Sequence, residues 1–205
     1  LGTIEGIDGA RMTLTKPLAH AIPAGTTMRD ENAPNLIEIR GGSKDILIEK
    51  LTLDGGRTET DPPIRGHAKL CGIFVSGAYT CEKGPTGPQV EDVMVSRCII
   101  QNCFGRGVAF YSVKQGFVLN TTIMDTNDEA VDFDHFAVKC AMQACHVARC
   151  LVGVELNDAN DCLVQNNDFR ECTTGLNLWR WCKQQDLNKR NVIRGNQSHE
   201  TKHSA

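Results

Sequence analysis

The sequence predicts an all-β fold in which short strands are stacked as the coils of a solenoid. Three observations predict it: a block of eleven residues recurs along the chain, each recurrence is followed by a further short strand of alternating polarity, and no segment has the period of an amphipathic helix. With 205 residues, 40% of them hydrophobic and 23% charged, the chain has the composition of one folded globular body.

Residues 1–34 precede the repeat and have the pattern of short strands around turn residues. Apolar residues alternate with polar or small ones from Thr3 to Asp8 and again from Ala10 to Lys16, with Gly9 between the two runs. This pattern is typical of a β-hairpin. We therefore expect a β-hairpin lead-in over residues 1–34 and a solenoid over residues 35–205.

The recurring block is clearest in four segments whose apolar positions coincide. They begin at Val93, Phe117, Cys140 and Cys162. Weaker copies run from Ile46 to Gly56 and from Asp186 to Asn196, and the sixth position is spaced by 24, 23, 22 and 24 residues from Cys98 onward. Three short strands in a repeat of this length indicate β-coils stacked about 4.8 Å apart.

Each block is followed by a second strand in which apolar residues occupy alternate places. These strands are Leu36 to Ile39, Gly72 to Val75, Gly107 to Phe110, Ala130 to Phe133, Gly153 to Leu156 and Gly175 to Leu178. Over roughly residues 35–196 the sequence resembles the right-handed parallel β-helix proteins of the pectin lyase-like superfamily. The resemblance implies the fold; it does not imply one activity, because that superfamily contains lyases, hydrolases, epimerases and non-catalytic surface proteins.

The resemblance also gives a role to the ten cysteines, which are unusual in number. With small or amide residues, five of them form two columns, Cys98, Thr122, Cys145, Asn167 and Asn191 in one and Cys103, Asn127, Cys150, Cys172 and Asn196 in the other. Such columns look like the inward ladders of these helices, in which Asn amides join successive coils and Cys is a small buried hydrophobe.

Two loop insertions, residues 57–71 and residues 76–92, flank the strand Gly72 to Val75. Both are rich in Gly and Pro, and insertions in a solenoid project from one face and often form the walls of a binding groove. Cys71 and Cys81 lie on opposite loops, so a disulfide between them is one alternative if the protein is secreted.

In each second strand the second and fourth residues should point inward, and the third residue and those beyond the fourth outward. The outward columns are Glu38, Phe74, Ala109, Asp132, Glu155 and Asn177; then Arg40, Ser76, Tyr111, Asp134, Asn157 and Trp179; then Gly41, Gly77, Ser112, His135, Asp158 and Arg180. The middle and C-terminal coils therefore bring acidic, aromatic and basic residues together on one face.

This composition is typical of a carbohydrate site. Carboxylates one coil apart would lie about 4.8 Å from each other, close enough to raise one pKa or to hold a cation such as calcium. Aromatic rings can stack on sugars, an arginine can pair with a uronate carboxylate, and a histidine can transfer a proton near neutral pH. We predict that Asp132, Asp134, His135 and Glu155 are catalytic and that the substrate-binding residues are Tyr111, Asn157, Asn177, Trp179 and Arg180.

The same residues also fit a solvated polar face that binds nothing. Trp179 and Trp181 fit a second role as well, in which they cover the last coil instead of stacking on substrate.

Short segments of the sequence are also similar to two particular families of the superfamily. Residues 127–132 are similar to the acidic strand start of polygalacturonases, but Arg106 and Val152 stand where that family has an Asp and a His. The run Asp132 to His135 resembles the Asp-Pro-His-Asp strand of mannuronan C5-epimerases and related alginate lyases. That resemblance implies that Tyr111 or His135 transfers the proton and that Arg180 or a cation neutralises the uronate.

The sequence thus favours a secreted or periplasmic lyase or uronate epimerase that acts on an acidic polysaccharide. A non-catalytic module that binds glycan or assembles with further copies of the chain is an alternative, and a glycoside hydrolase is another. The formal charge of -3 argues against nucleic acid as a partner, and no apolar run is long enough to insert into a membrane.

Overall fold

The computed structural model describes residues 4–8, 11–14, 34–61, 68–184 and 186–200. Contacts divide the chain into two units, residues 1–30 and residues 31–205. All regular elements of the described residues are β-strands, and none of the described residues forms a helix long and apolar enough to cross a membrane.

The first unit contains the predicted β-hairpin. Strands β1 (Ile4–Asp8) and β2 (Arg11–Leu14) pair antiparallel, with Asp8 opposite Arg11. The other residues assigned to the lead-in before position 34 lie outside the described residues.

The second unit winds through three kinds of strand in turn. In chain order the strands are β3 (Ile37–Arg40), β4 (Lys44–Glu49), β5 (Thr52–Asp54), β6 (Ile73–Ser76), β7 (Tyr79–Thr80), β8 (Gly84–Pro85), β9 (Val90–Ser96), β10 (Ile99–Gln101), β11 (Val108–Tyr111), β12 (Val113–Leu119), β13 (Thr122–Met124), β14 (Glu129–Asp134), β15 (Ala141–Gln143), β16 (His146–Ala148), β17 (Val152–Asn157), β18 (Leu163–Gln165), β19 (Asp168–Arg170), β20 (Thr174–Trp179), β21 (Val192–Arg194) and β22 (Gln197–His199). Apart from β7 and β8, which pair antiparallel, they form three parallel sheets of six strands.

Sheet I consists of β3, β6, β11, β14, β17 and β20; sheet II of β4, β9, β12, β15, β18 and β21; sheet III of β5, β10, β13, β16, β19 and β22. Each strand pairs with the equivalent strand of the next coil, which confirms the predicted parallel β-helix.

Inside the β-helix, alternate residues such as Val131 and Phe133 are fully buried, and the rings of Phe110 and Phe133 stack at 5.8 Å between centroids. The alternate side chains of the same strand, including Asp132, therefore lie on the outward face of sheet I.

The chain turns between sheets II and III at single residues with positive φ. These residues are Lys50, Arg97, Asn120, Ala144 and Asn166. An L-residue in this conformation costs about 1–2 kcal/mol, a cost that the hydrogen bonds between coils offset. Because one residue makes the turn, the strands of sheets II and III follow each other with no loop between them.

The polar ladder inside this turn is present, but Asn196 rather than Asn191 follows Asn167 in it. Asn167 accepts a hydrogen bond from the Cys145 amide at 3.0 Å and donates its own amide to Asn196 Oδ1 at 3.0 Å. Asn191 instead accepts from the Cys162 amide at 2.9 Å. The predicted places of Asn191 and Asn196 are wrong because the last coil is longer: Asn196 follows Asn167 by 29 residues, whereas Asn167 follows Cys145 by 22.

A shift of one residue also affects the predicted members Thr122 and Asn127. Val93 pairs with Gly116 rather than with Phe117, which places Thr121 and Thr126 in the two columns. Eight of the cysteines are buried and unpaired, and the five that were predicted in the two ladders are among them.

We expect Asn167→Ala to lower the free energy of unfolding by about 2 kcal/mol or more, since it leaves buried backbone groups without partners. Its Nδ2 also donates to the Met142 carbonyl at 3.0 Å. Urea denaturation measures the change, with Gln197→Ala on the exposed strand β22 as the control. Equal effects of the two substitutions would contradict a structural role for the ladder.

Candidate functional site

The outward columns of sheet I have the predicted register. Asp132 pairs with Ala109 on one side and with Glu155 on the other, and Glu155 pairs with Asn177. In the next column Tyr111 is opposite Asp134, and Asn157 is opposite Trp179. All nine predicted site residues therefore belong to four neighbouring strands of one sheet or, like His135 and Arg180, directly follow one.

The carboxylates of this face are buried, although the sequence led us to expect them on an exposed surface. Asp132 has no exposed area, and Asp134, Glu155 and Asn157 are also buried. Aromatic side chains cover the face: Tyr111 packs edge-on to Phe74 at 5.1 Å between centroids, and Tyr79 joins their cluster from the segment after β6. A face screened in this way has a lower effective dielectric than a solvated one, so its charges need partners.

The main partner is Arg106, a buried residue that sequence reasoning did not assign to the site. Its Nε lies 2.7 Å from Glu129 Oε2 and 2.7 Å from Asp132 Oδ2, and its Nη2 lies 3.7 Å from Asp128 Oδ2. The guanidinium carbon is 5.7 Å from the centroid of the Tyr111 ring. The signal in the sequence was a lone arginine before one apolar strand and an Asp-Glu pair before the next.

We call Asp128, Glu129, Asp132, Asp134 and Glu155 the acidic cluster. Burial raises the pKa of Asp132 well above its ordinary value, with Asp134 acting in the same direction. Burial likewise raises the pKa of Glu129 to about 8 and that of Asp134 to about 6, although Arg106 opposes both shifts. The sequence predicted raised values from like charges, but desolvation is the larger cause.

His135 lies at the edge of the acidic cluster between two carboxylates. Its Nδ1 is 3.2 Å from Asp134 Oδ1 and 3.6 Å from Asp158 Oδ2. The imidazole stacks on the Tyr79 ring at 4.6 Å and meets the Tyr111 ring edge-on at 5.0 Å between centroids. With 14% of its side chain exposed, His135 is held firmly but is still open to solvent.

The end of sheet I presents an aromatic surface. Glu155 accepts hydrogen bonds from Asn177 Nδ2 at 2.8 Å and from Trp179 Nε1 at 2.6 Å, which fixes the indole. The Trp179 and Trp181 rings are 5.6 Å apart and are 42% and 63% exposed. Arg180, between them in sequence, is exposed as well.

A disulfide joins the two segments that flank this face, but it is not the predicted one. Cys81 pairs with Cys182, 101 residues later, whereas Cys71 is buried and unpaired. The predicted Cys71–Cys81 pair is wrong because Cys71 packs with Phe74 and Ala109 against sheet I. Cys81 instead reaches the extra residues of the last coil, an insertion that the repeat pattern did not reveal.

The contacts of the acidic cluster also decide whether calcium fits between carboxylates one coil apart, as the sequence led us to expect. Arg106 contacts Asp132 and Glu129, and both oxygens of Glu155 accept hydrogen bonds. The carboxylates of the acidic cluster therefore do not fit a calcium site, because Arg106 already supplies the positive charge that the ion would bring.

Comparisons with known proteins agree with this architecture. Residues 31–198 match the family described as right handed beta helix region. The chain belongs to this family. No curated protein matches the sequence.

Among solved structures, this β-helix is similar to the crystal structure of the bacteriophage phi29 gene product 12 N-terminal fragment. The TM-score is 0.60 and the identity 12%, over 80% of this chain and 35% of that one. This chain thus spans about a third of the length of its structural relative, and at this identity the likeness shows the fold alone.

Because Arg106 compensates three buried carboxylates, we expect Arg106→Met to lower the free energy of unfolding by about 3–5 kcal/mol. Arg149→Met is the matched control, since Arg149 bonds Asp125 on the surface at 2.8 Å and its loss should cost less than about 1 kcal/mol. Denaturant unfolding of both variants near pH 7 measures the difference. A small effect at Arg106 would contradict its role as the central counter-charge of the β-helix.

The raised pKa of Glu129 predicts that stability depends on pH. Its protonated form favours the folded state, so this contribution is complete below the ordinary pKa of 4.5 and is lost as the pH rises through about 8. The free energy of unfolding of the wild type should therefore fall as the pH rises from about 4.5 to about 8. We expect this fall to be smaller in Glu129→Gln by at least about 1.4 kcal/mol, the equivalent of one pKa unit. Denaturation at several pH values measures it, with exposed Glu171→Gln as the control, and identical pH profiles would refute the assignment.

Proposed function

We propose that this β-helix acts on an acidic polysaccharide as a lyase or uronate epimerase, with His135 as the group that removes the proton. The observation that carries the proposal is the position of the imidazole. It lies between Asp134 and Asp158, against the Tyr79 ring, on the face that ends in the exposed Trp179 and Trp181 rings. An oriented base beside a surface for sugar rings is the arrangement that C5 proton removal requires.

The contacts favour His135 over Tyr111 as the proton-transferring group. Tyr111 is buried, donates its hydroxyl to Asp134, and has a pKa far above its ordinary value because burial disfavours the phenolate. We infer that Tyr111 is a positioning residue. When the Nδ1 proton of His135 faces Asp134 or Asp158, its Nε2 is left as the acceptor.

The acidic cluster is compatible with an anionic substrate. Arg106 offsets one negative charge, and burial raises the pKa values of Asp132 and Glu129, which favours the neutral form of these two carboxyls. The exposed Arg180 supplies a guanidinium for the uronate carboxylate. In a lyase, the C5 proton would pass to His135, a C4–C5 double bond would form as the C4–O bond breaks, and the leaving oxygen would take a proton from solvent. In an epimerase, His135 would remove the C5 proton and a proton from solvent would be added to C5 from the opposite face.

A second function, glycan binding without catalysis, is favoured by one observation. Both oxygens of Glu155 are occupied by Asn177 and Trp179, so this carboxylate orients a ring rather than reacting. A binding module needs the oriented indoles and no free acid. In either case the Cys81–Cys182 disulfide supports a secreted or periplasmic location, where disulfides persist.

The decisive experiment incubates the protein with a panel of uronate and neutral polysaccharides while reducing ends and unsaturated-uronate absorbance are followed together. Proton NMR of the recovered polymers detects epimerisation. We expect one uronate polymer to react and His135→Gln to lower kcat at least about 100-fold, the usual contribution of general base catalysis.

The matched control is His146→Gln, because His146 is 72% exposed in sheet III, away from the face of sheet I. It should keep full activity. Reducing ends without unsaturated product would indicate a hydrolase and contradict the proposal. Absence of any reaction, with binding that Trp179→Ala abolishes, would establish the binding module instead.

A further inference from the structure

Four side chains with metal-binding atoms converge beside the acidic cluster, two of them on the segments that the disulfide joins and two directly after β14 and β17. They are Cys81, His135, Asp158 and Cys182, and their ligand atoms all lie within 4.8 Å of one another. His135 Nδ1 is 3.8 Å from Cys182 Sγ and 3.6 Å from Asp158 Oδ2. Among the described residues, no other group of His, Cys, Asp and Glu meets this criterion.

A disulfide that only joins two segments does not require an imidazole and a carboxylate directed at its sulfur. Asp158 has no exposed area, and its oxygens accept hydrogen bonds from the amides of Trp181 at 3.0 Å and Cys182 at 2.9 Å. These bonds aim the carboxylate at the sulfur. The Tyr79 ring holds the imidazole from the other side.

We propose that, when the Cys81–Cys182 disulfide is reduced, these four residues form a site for a zinc-like divalent metal ion. Two thiolates, one imidazole and one carboxylate are a tetrahedral donor set of the kind that Zn²⁺ prefers. The hydrogen bonds to Asp158 and the stacking of His135 provide the outer contacts that orient such ligands. The site differs from the acidic cluster, whose positive charge is supplied by Arg106.

The change between the two forms is a two-electron reduction. A dithiol or phosphine reductant breaks the S–S bond, each sulfur gains one electron and one proton, and the reductant becomes a cyclic disulfide or a phosphine oxide. Binding of the metal ion then forms two metal–sulfur bonds and releases both thiol protons to solvent. His135 and Asp158 bind through atoms that already face the sulfur of Cys182.

This inference does not depend on the proposed polysaccharide activity. The metal would occupy Nδ1 of the residue that we propose as the base, but metal binding is measurable without any substrate. The other eight cysteines are unpaired, so a difference between the forms isolates Cys81 and Cys182.

For the test, the full chain is purified with a phosphine reductant. The reductant is removed under anaerobic conditions, and half of the sample is then oxidised. Thiol counts in denaturant should be ten and eight for the two halves. Each half is titrated with Co²⁺, whose thiolate charge-transfer and tetrahedral ligand-field bands report the site, and Zn²⁺ is then added as competitor. We expect one Co²⁺ per reduced chain, none per oxidised chain, and complete displacement by Zn²⁺.

Variants assign the ligands. Cys182→Ser should abolish the charge-transfer band, His135→Gln and Asp158→Asn should each weaken Co²⁺ binding at least tenfold, and His146→Gln should bind as the wild type does. Circular dichroism and melting temperature verify that each variant is folded. Equal bands in both halves, bands that persist in Cys182→Ser, a reduced chain without bands, or a disulfide that resists the reductant would each overturn the proposal.

Discussion

The pairing of each strand with its equivalent one coil away is the constraint on which this molecule depends. Parallel pairing at a spacing of about 4.8 Å leaves no freedom of register between coils, so residues at equivalent positions form columns. Inside, the columns consist of Val, Phe, Cys and Asn, whose side chains fill the interior or bond the next coil. Outside, the same constraint places Asp132 next to Glu155 and Asp134 next to Tyr111, whatever the chemical cost.

The free-energy cost of burying these carboxyls explains why Arg106 is buried among them. Several carboxyls in adjacent columns under an aromatic cover repel one another and lose hydration, and burial is the largest cause that raises the pKa values of Asp132, Glu129 and Asp134. One guanidinium within 2.7 Å of both Glu129 and Asp132 reduces the penalty, and the raised pKa values favour the neutral carboxyls. An arrangement this expensive stabilises the fold poorly, which is an argument that the cluster serves a site.

The repeat was sufficient to predict the fold and the outward columns, because one period determines both. It failed where the chain departs from that period. The extra residues before β21 placed Asn196 in the column predicted for Asn191, placed Asn191 beside Cys162, and hid the segment that carries Cys182. The repeat pattern could not predict the burial of the carboxylates either. That burial depends on Tyr79, which reaches the face from the irregular segment after β6, and on Trp179, whose indole bonds Glu155 in the neighbouring column.

The two departures from the repeat meet at one place, and this explains why the site lies there. A perfectly regular β-helix offers an even face on which no column differs much from its neighbours. Here the segment after β6 brings Tyr79 and Cys81, the segment after β20 brings Trp181 and Cys182, and both close on His135. The columns supply the carboxylates in fixed register, and the irregular segments supply the walls, so chemistry is concentrated where the repeat is broken.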